Sequence, residues 1–283
     1  MQESVETTVD LTTELGEGFA IDPGGIPIDV LQDITLPESG RRLHPRHVSE
    51  RADEALIPLI SSAYLACGLH SGDPVHLARL IPGLLQRNIR IGAHPSYPDM
   101  FNFAQHRIAM TKEEITACIL YQFGALSALL KPHGEKIRYV KCHGALYFDV
   151  AAEDWACDAL ADAVRIFDPE IIIVTPAGTT TLPRLQTTGL RIARECFADR
   201  GYDRSGQILP RNHPDALLTS ADQAVAQIIS IMTEGLVKAF DGAMVPLEAD
   251  TVCLHSDTPG AAEMGRDIIK GLQTAGIEIA SFE

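Results

Sequence analysis

Seven polar clusters, spread from Asp10 to Pro259, hold most of the side chains in this chain that could do acid–base chemistry. They are residues 10–17 (DLTTELGE), 67–74 (CGLHSGDP), 92–99 (GAHPSYPD), 141–147 (KCHGALY), 176–178 (PAG), 195–200 (ECFADR) and 255–259 (HSDTP), and each ends a short apolar run. Asp10, Glu14 and Glu17 bring three carboxylates into eight residues. Strand alternation puts Asp10, Thr12 and Glu14 on one face, and charge on an inward face is costly unless it is paired or bound. One of these carboxylates, Asp10 or Glu14 first among them, is therefore a candidate general base or metal ligand; for Glu17 a solvated turn residue is the bland alternative. Lys141 and His143 alternate out of RYVKCHG onto one face. There a lysine could stabilise an oxyanion or hold a carboxylate or phosphate, and a histidine could move protons.

The remaining clusters suggest binding as much as catalysis. His70 lies on a strand-to-helix loop with no obvious packing task. Asp73 precedes Pro74, the pairing of an N-cap with proline at the first helical position, so it has a capping reading beside a binding one. His94 and Tyr97 sit in a loop stiffened by Pro95 and Pro98. Arg200 and Arg211 could anchor an anion or form surface ion pairs. His255 ends a strand, whereas Asp257 or Thr258 could cap a following helix. Asp10, His70 and His94 together form a candidate set for a divalent ion.

Something must bring these clusters together. Strand-like runs at 9–15, 61–66, 89–93, 139–142, 171–175, 190–196 and 251–255 alternate with helical patterns. The helices include one opened by the capping box Thr111-x-x-Glu114, one at Asp154–Phe167, and others near 221–233 and 259–275. The expectation is an α/β fold, a seven-stranded (β/α) barrel of TIM-barrel type in one domain spanning 1–283, with an irregular insertion at about 22–51. Polar residues at strand ends then share the C-terminal rim, where such barrels do chemistry.

The net charge of −15 and the 46% apolar content describe an acidic chain with ample core, and argue against nucleic acid or an anionic membrane as partner. No run approaches the roughly 18 apolar residues of a membrane span, and the first residues lack a secretory pattern. Six cysteines without a Cys-x-x-Cys pair suggest reduced thiols and a cytoplasmic location. There is no Gly-x-Ser-x-Gly elbow, no Gly-x-Gly-x-x-Gly fingerprint and no Gly-x-x-x-x-Gly-Lys-Ser/Thr loop.

The segments LGEGF, ACGLHSGDP, IGAHPSYPD, YQFGALSAL, VKCHGALY, FADRGY, ILPR and HSDTPGA, in this order from Val9 to Ile279, resemble the LamB/YcsF family of lactam-utilisation and 5-oxoprolinase proteins. The resemblance implies a seven-stranded barrel variant. It also implies the opening of a lactam ring, 5-oxoproline to glutamate, coupled to ATP hydrolysis with partner subunits. The chain departs from the family pattern at the mouth. Thr12, Thr13 and Glu14 replace the usual Asn-Cys-Asp, Cys142 replaces a proline, and MFNFAQHR replaces a glycine- and arginine-containing segment.

The resulting expectation is a hydrolase of a cyclic amide or related C–N bond. Asp10 or Glu14 would activate water with His70 nearby, Lys141 would stabilise the oxyanion, and His143 would protonate the leaving nitrogen. Asp73, His94, Tyr97, Arg200, Arg211, His255 and Asp257 would hold the substrate. ATP acting through partner subunits, a divalent metal and a homo-oligomer are the accompanying expectations. The alternatives are a metal-dependent deacetylase-like hydrolase and a non-catalytic barrel component of a complex.

Overall fold

Each apolar run of the sequence becomes one stave of a closed barrel. The computed structural model describes residues 8–17, 53–258 and 260–282. The expected insertion at 22–51 lies outside them. The strands are β1 (Thr8–Leu15), β2 (Ser62–Ala66), β3 (Arg90–His94), β4 (Tyr139–Val140), β5 (Ile172–Pro176), β6 (Ile192–Phe197), β7 (Leu236–Lys238), β8 (Met244–Pro246), β9 (Thr251–Cys253) and β10 (Glu278–Ile279). β1 to β6 and β9 are parallel neighbours, and β9 pairs with both β6 and β1, which closes a seven-stranded barrel. β10 adds to the start of β1.

Strand alternation divides the apolar residues between two cores. Tyr64, Tyr139, Ile172, Val174 and Ala193 fill the barrel interior, with Phe282 beneath them. Gly92 faces them because a methyl group there would meet the Tyr64 ring at 2.9 Å and Tyr139 Cβ at 3.1 Å. The larger core lies between the barrel and its helices: α1 (Pro74–Leu85), α2 (Lys112–Leu130), α3 (Gly144–Ala152), α4 (Asp154–Phe167), α5 (Leu182–Thr187), α6 (Ala221–Glu234) and α7 (Ala261–Thr274). α2 starts at the expected capping box, with Glu114 N donating to Thr111 Oγ1 at 3.2 Å and Thr111 N donating to Glu114 Oε2 at 2.7 Å. With its 3-10 extension, Lys112–His133 is long and apolar enough to cross a membrane by length and composition. Here its stripe Ile115, Ile119, Phe123, Leu126 and Leu130 packs into the outer core instead.

The sequence pattern places all seven barrel strands but not the antiparallel β7–β8 hairpin between β6 and β9, nor the short helix α3. The hairpin strands have three residues each, too few for a period of two to stand out.

Candidate active site

The C-terminal ends of the strands enclose a cavity of about 340 Å³. Glu14, Lys141, Phe197 and His255 line one part of it, and Glu17, His94, Phe103 and His143 another; Arg200, Arg211 and Asp257 lie at its margin.

Lys141 reaches into the barrel from beyond β4. Its Nζ donates to Glu14 Oε1 at 2.6 Å and lies 2.9 Å from Glu195 Oε2 and 3.3 Å from Cys253 Sγ. The rings of Tyr64, Tyr147 and Phe197 surround it at 5.2–5.5 Å from Nζ. Burial alone would raise the Glu14 pKa, but the ammonium overcomes it and holds the carboxyl well below its usual range. Burial instead wins at Glu195, which is pushed upward and accepts a hydrogen bond from Tyr147 Oη at 2.8 Å. Glu14 is thus the carboxylate kept ionised at the cavity wall.

His255 follows β9 and stacks on Phe197, with ring centroids 5.1 Å apart. Its Nδ1 meets Asp199 Oδ1 at 2.9 Å, and Thr258 Oγ1 donates to the other Asp199 oxygen. Burial would lower the imidazole, but the Asp199 and Glu14 carboxylates raise it above its ordinary value. Asp199 is correspondingly lowered: burial opposes this, and His255 outweighs it. An imidazolium is therefore favoured beside an ionised Glu14.

Beyond β2, β3 and β4, His70, His94 and His143 gather around Glu17. The rings of His70 and His143 stack at 3.9 Å and 5°. Glu17 Oε1 lies 3.4 Å from His70 Nε2, 3.4 Å from His143 Nδ1 and 3.9 Å from His94 Nε2. Burial lowers His70 to about 3 and, together with neighbouring His70, lowers His143 to about 4; it raises Glu17 to about 8. Glu17 is aimed by the preceding turn, where Gly16 N donates to Asp53 Oδ2 at 3.0 Å. Gly16 has φ +72°, a left-handed conformation that favours glycine, and a Cβ there would press on Leu77 Cδ2 at 2.5 Å.

Glu14, Lys141, His143, His94, His255, Arg200, Arg211 and Asp257 line the cavity, and His70 stands directly behind it. Three sequence candidates lie elsewhere. Asp10 is buried about 13 Å below Glu14 along β1, its carboxylate accepting from Ser61 and Ser62 at 2.7 and 2.8 Å and from Thr251 at 2.9 Å. It ties β1 to its neighbours, and the trio Asp10, His70, His94 is not formed. Asp73 caps α1, accepting from Val75 N and His76 N. Tyr97 Oη donates to Asp149 at 2.6 Å in the helical layer. Arg200 donates to the carbonyls of Leu209 and Ala216, shaping the loop between them, while Arg211 pairs with Asp257 at 3.3 Å on the rim. Sequence reasoning does not single out Glu195, reads Asp199 as a surface ion-pair residue and Cys253 as a small buried one, and gives Glu17 no definite role; the structure puts all four in or against the site.

Residues 40–283 match the profile of the LamB/YcsF family. The chain belongs to that family. It is 42% identical over 275 residues to the 5-oxoprolinase A subunit of Methylococcus capsulatus, covering 97% of this chain and 96% of that one. It is 39% identical to the corresponding 5-oxoprolinase protein of Thermus thermophilus over 81% of this chain and 92% of that one. The crystal structure of a lactam utilization protein from Thermus thermophilus superposes with a TM-score of 0.82 at 34% identity, covering 97% of this chain and all of the other.

The departures of this LamB/YcsF chain from its family pattern have visible uses. Thr12 and Thr13, where an amide and a thiol are usual, donate to the carbonyls of Val252 and Leu254 at 3.2 and 2.7 Å, fastening β1 to the segment that carries His255. In the segment MFNFAQHR, Phe103 and Ala104 take left-handed backbone angles, φ 53° and 48°, which side-chain-bearing residues rarely adopt. That conformation aims the Phe103 carbonyl at His143 Nε2, 2.9 Å away, and sets the Phe103 ring edge-on to His143.

Proposed function

We propose that this chain opens the ring of a small lactam, 5-oxoproline or a close relative, as the hydrolytic component of a 5-oxoprolinase-type assembly. The observation that carries this reading is the pairing of Glu14, bound to the Lys141 ammonium, with His255, whose charged form Asp199 favours, in one cavity of a LamB/YcsF barrel. Similarity over nearly the full length to a 5-oxoprolinase component supports it. So does a cavity at the small end of the range for ligand sites, about 300–1,000 Å³.

Ring opening adds water to the carbonyl carbon, breaks the ring C–N bond and leaves a carboxylate and an amine. Glu14 takes a proton from the attacking water. Lys141 keeps Glu14 ionised and lends positive potential where the carbonyl oxygen gains charge. His255 delivers a proton to the departing nitrogen, and Asp199 keeps it charged for that step. His143 suits the donor role less well, because its Nε2 is bound to the Phe103 carbonyl and its Nδ1 faces His94. Arg211 at the rim is the cation nearest solvent for a substrate carboxylate. The chain lacks a Gly-x-x-x-x-Gly-Lys-Ser/Thr loop, and the proposal assigns ATP coupling to partner subunits.

The test is amine and carboxylate release from a panel of 5-oxoproline, simple lactams, cyclic imides and ureides. The full chain is assayed alone, with ATP, and with ATP plus the other subunits of such a system. Opening of a five-membered lactam under any of these conditions supports the proposal. Inertness towards the whole panel under all of them removes it.

A further inference from the structure

The His70, His94, His143 and Glu17 group has a hydrogen-bonding pattern that proton transfer does not explain. His94 Nδ1 lies 2.8 Å from the carbonyl oxygen of Lys141, and His143 Nε2 lies 2.9 Å from that of Phe103. A carbonyl oxygen only accepts, so each of these nitrogens carries the ring hydrogen. Each neutral ring then presents a lone pair at its other nitrogen. Those two nitrogens, His94 Nε2 and His143 Nδ1, face each other at 3.0 Å. Two lone pairs at that separation repel unless a positive charge lies between them.

The surroundings point the same way. His70 is fully buried, and neither of its ring nitrogens has a hydrogen-bond partner among the described residues. Glu17 Oε1 is also buried without one among them. Buried polar atoms left in this state are costly, so a convergent group of them calls for a ligand. One proton could join a single pair and would leave the others unsatisfied. A divalent ion satisfies Glu17 and the three histidines together.

We infer that Glu17 Oε1, His94 Nε2 and His143 Nδ1 form a binding site for a first-row divalent cation of the zinc class, which His70 joins by turning its ring out of the stack on His143. The candidate ligand atoms of the four residues lie within 4.8 Å of one another. A tetrahedral ion with bonds of about 2.0–2.1 Å separates its ligands by about 3.3–3.4 Å, close to the measured 3.0, 3.4, 3.4 and 3.9 Å. Neutral imidazoles with one carboxylate favour zinc, cobalt, nickel or iron over magnesium or calcium, which prefer all-oxygen cages. Carbonyls that hold the far nitrogens of two ligating histidines are the usual outer support of such a site. Here those carbonyls belong to Lys141 and to the left-handed Phe103. Glu17, His94 and His143 line the cavity, so the ion faces the substrate space and supplies a Lewis acid there.

Metal uptake needs no substrate, so this site can be tested whatever the fate of the lactam reading. The full chain is stripped with a chelator and titrated with Co²⁺, followed by visible absorption and by metal analysis after desalting. One equivalent is expected, with the intense ligand-field bands of four- or five-coordinate cobalt, displaced by Zn²⁺ and accompanied by a rise in Tm. Glu17→Gln, which is nearly isosteric, and His143→Ala should each weaken Co²⁺ binding at least about 100-fold, with the metal-free fold checked by circular dichroism. His255→Ala, in the other cluster, should bind Co²⁺ as the wild type does. The site is refuted by failure to retain Co²⁺ or Zn²⁺, by a weak octahedral spectrum, by unchanged affinity in both Glu17→Gln and His143→Ala, or by loss of affinity in His255→Ala alone.

Discussion

A lysine buried between Glu14 and Glu195 leaves one negative charge uncompensated inside the barrel, and the two carboxylates meet that excess differently. Glu14, closest to the ammonium, stays ionised; Glu195, raised by burial, is the one that holds a proton more readily. Replacing Lys141 by alanine strands both. Breaking a buried ion pair from one side costs about 3–5 kcal/mol, so Lys141→Ala should lower the urea midpoint strongly as well as abolish ring opening. His255 provides a pH signature. Its folded pKa is raised, so its charge-dependent stabilisation is complete below the unfolded value of 6.5 and fades as pH rises through the higher folded value. Ring opening should follow the same alkaline limb, falling only above pH 6.5. Asp199→Asn removes the main partner and should move that limb to lower pH in a kcat/KM profile; an unmoved limb would assign the titration elsewhere. Sequence alternation places Glu14 and Lys141 on inward faces. It does not show Glu195 as the second carboxylate on Lys141, although Ala193, Glu195 and Phe197 have the same period-two spacing. Nor does it show Glu17 enclosed by three histidines, since those contacts span four separate segments.

Strand ends carry the chemistry and strand bodies carry the barrel, and Asp10 shows how alike the two look in sequence. It shares a face with Glu14 but lies lower, where three hydroxyls satisfy it. Asp10→Ala orphans those hydroxyls and should cost about 1–3 kcal/mol in urea denaturation, with the kcat of the surviving folded protein within a few-fold of wild type. Asp73→Ala, which deletes the N-cap of α1, should cost about 1 kcal/mol in the same assay, again with little change in kcat. A hundredfold fall in kcat for either variant would return that residue to the active site. The seven barrel strands are readable because each is an apolar or alternating run that ends in a polar cluster. The β7–β8 hairpin is not, because its pairing depends on packing below α6 rather than on any pattern of its own.

Closure of the barrel is what makes one site from distant segments: β9 meets β1, bringing Cys253 and His255 to Glu14 across some 240 positions of sequence. Five of the six cysteines are buried, and all six are free thiols, with Cys118 half-exposed. Thiol titration of the native chain should therefore find at most one fast-reacting group, and six after unfolding; several fast groups in the native state would contradict the packing of the barrel wall. Glu14 at the mouth of this barrel is tested by comparing 5-oxoproline opening by the wild-type chain and by Glu14→Gln, side by side, with ATP and partner subunits supplied to both. Turnover is expected in the wild type, with a loss of about 10²–10⁴-fold in kcat for Glu14→Gln, the range for removal of a general base. Equal turnover by the two proteins would contradict that role.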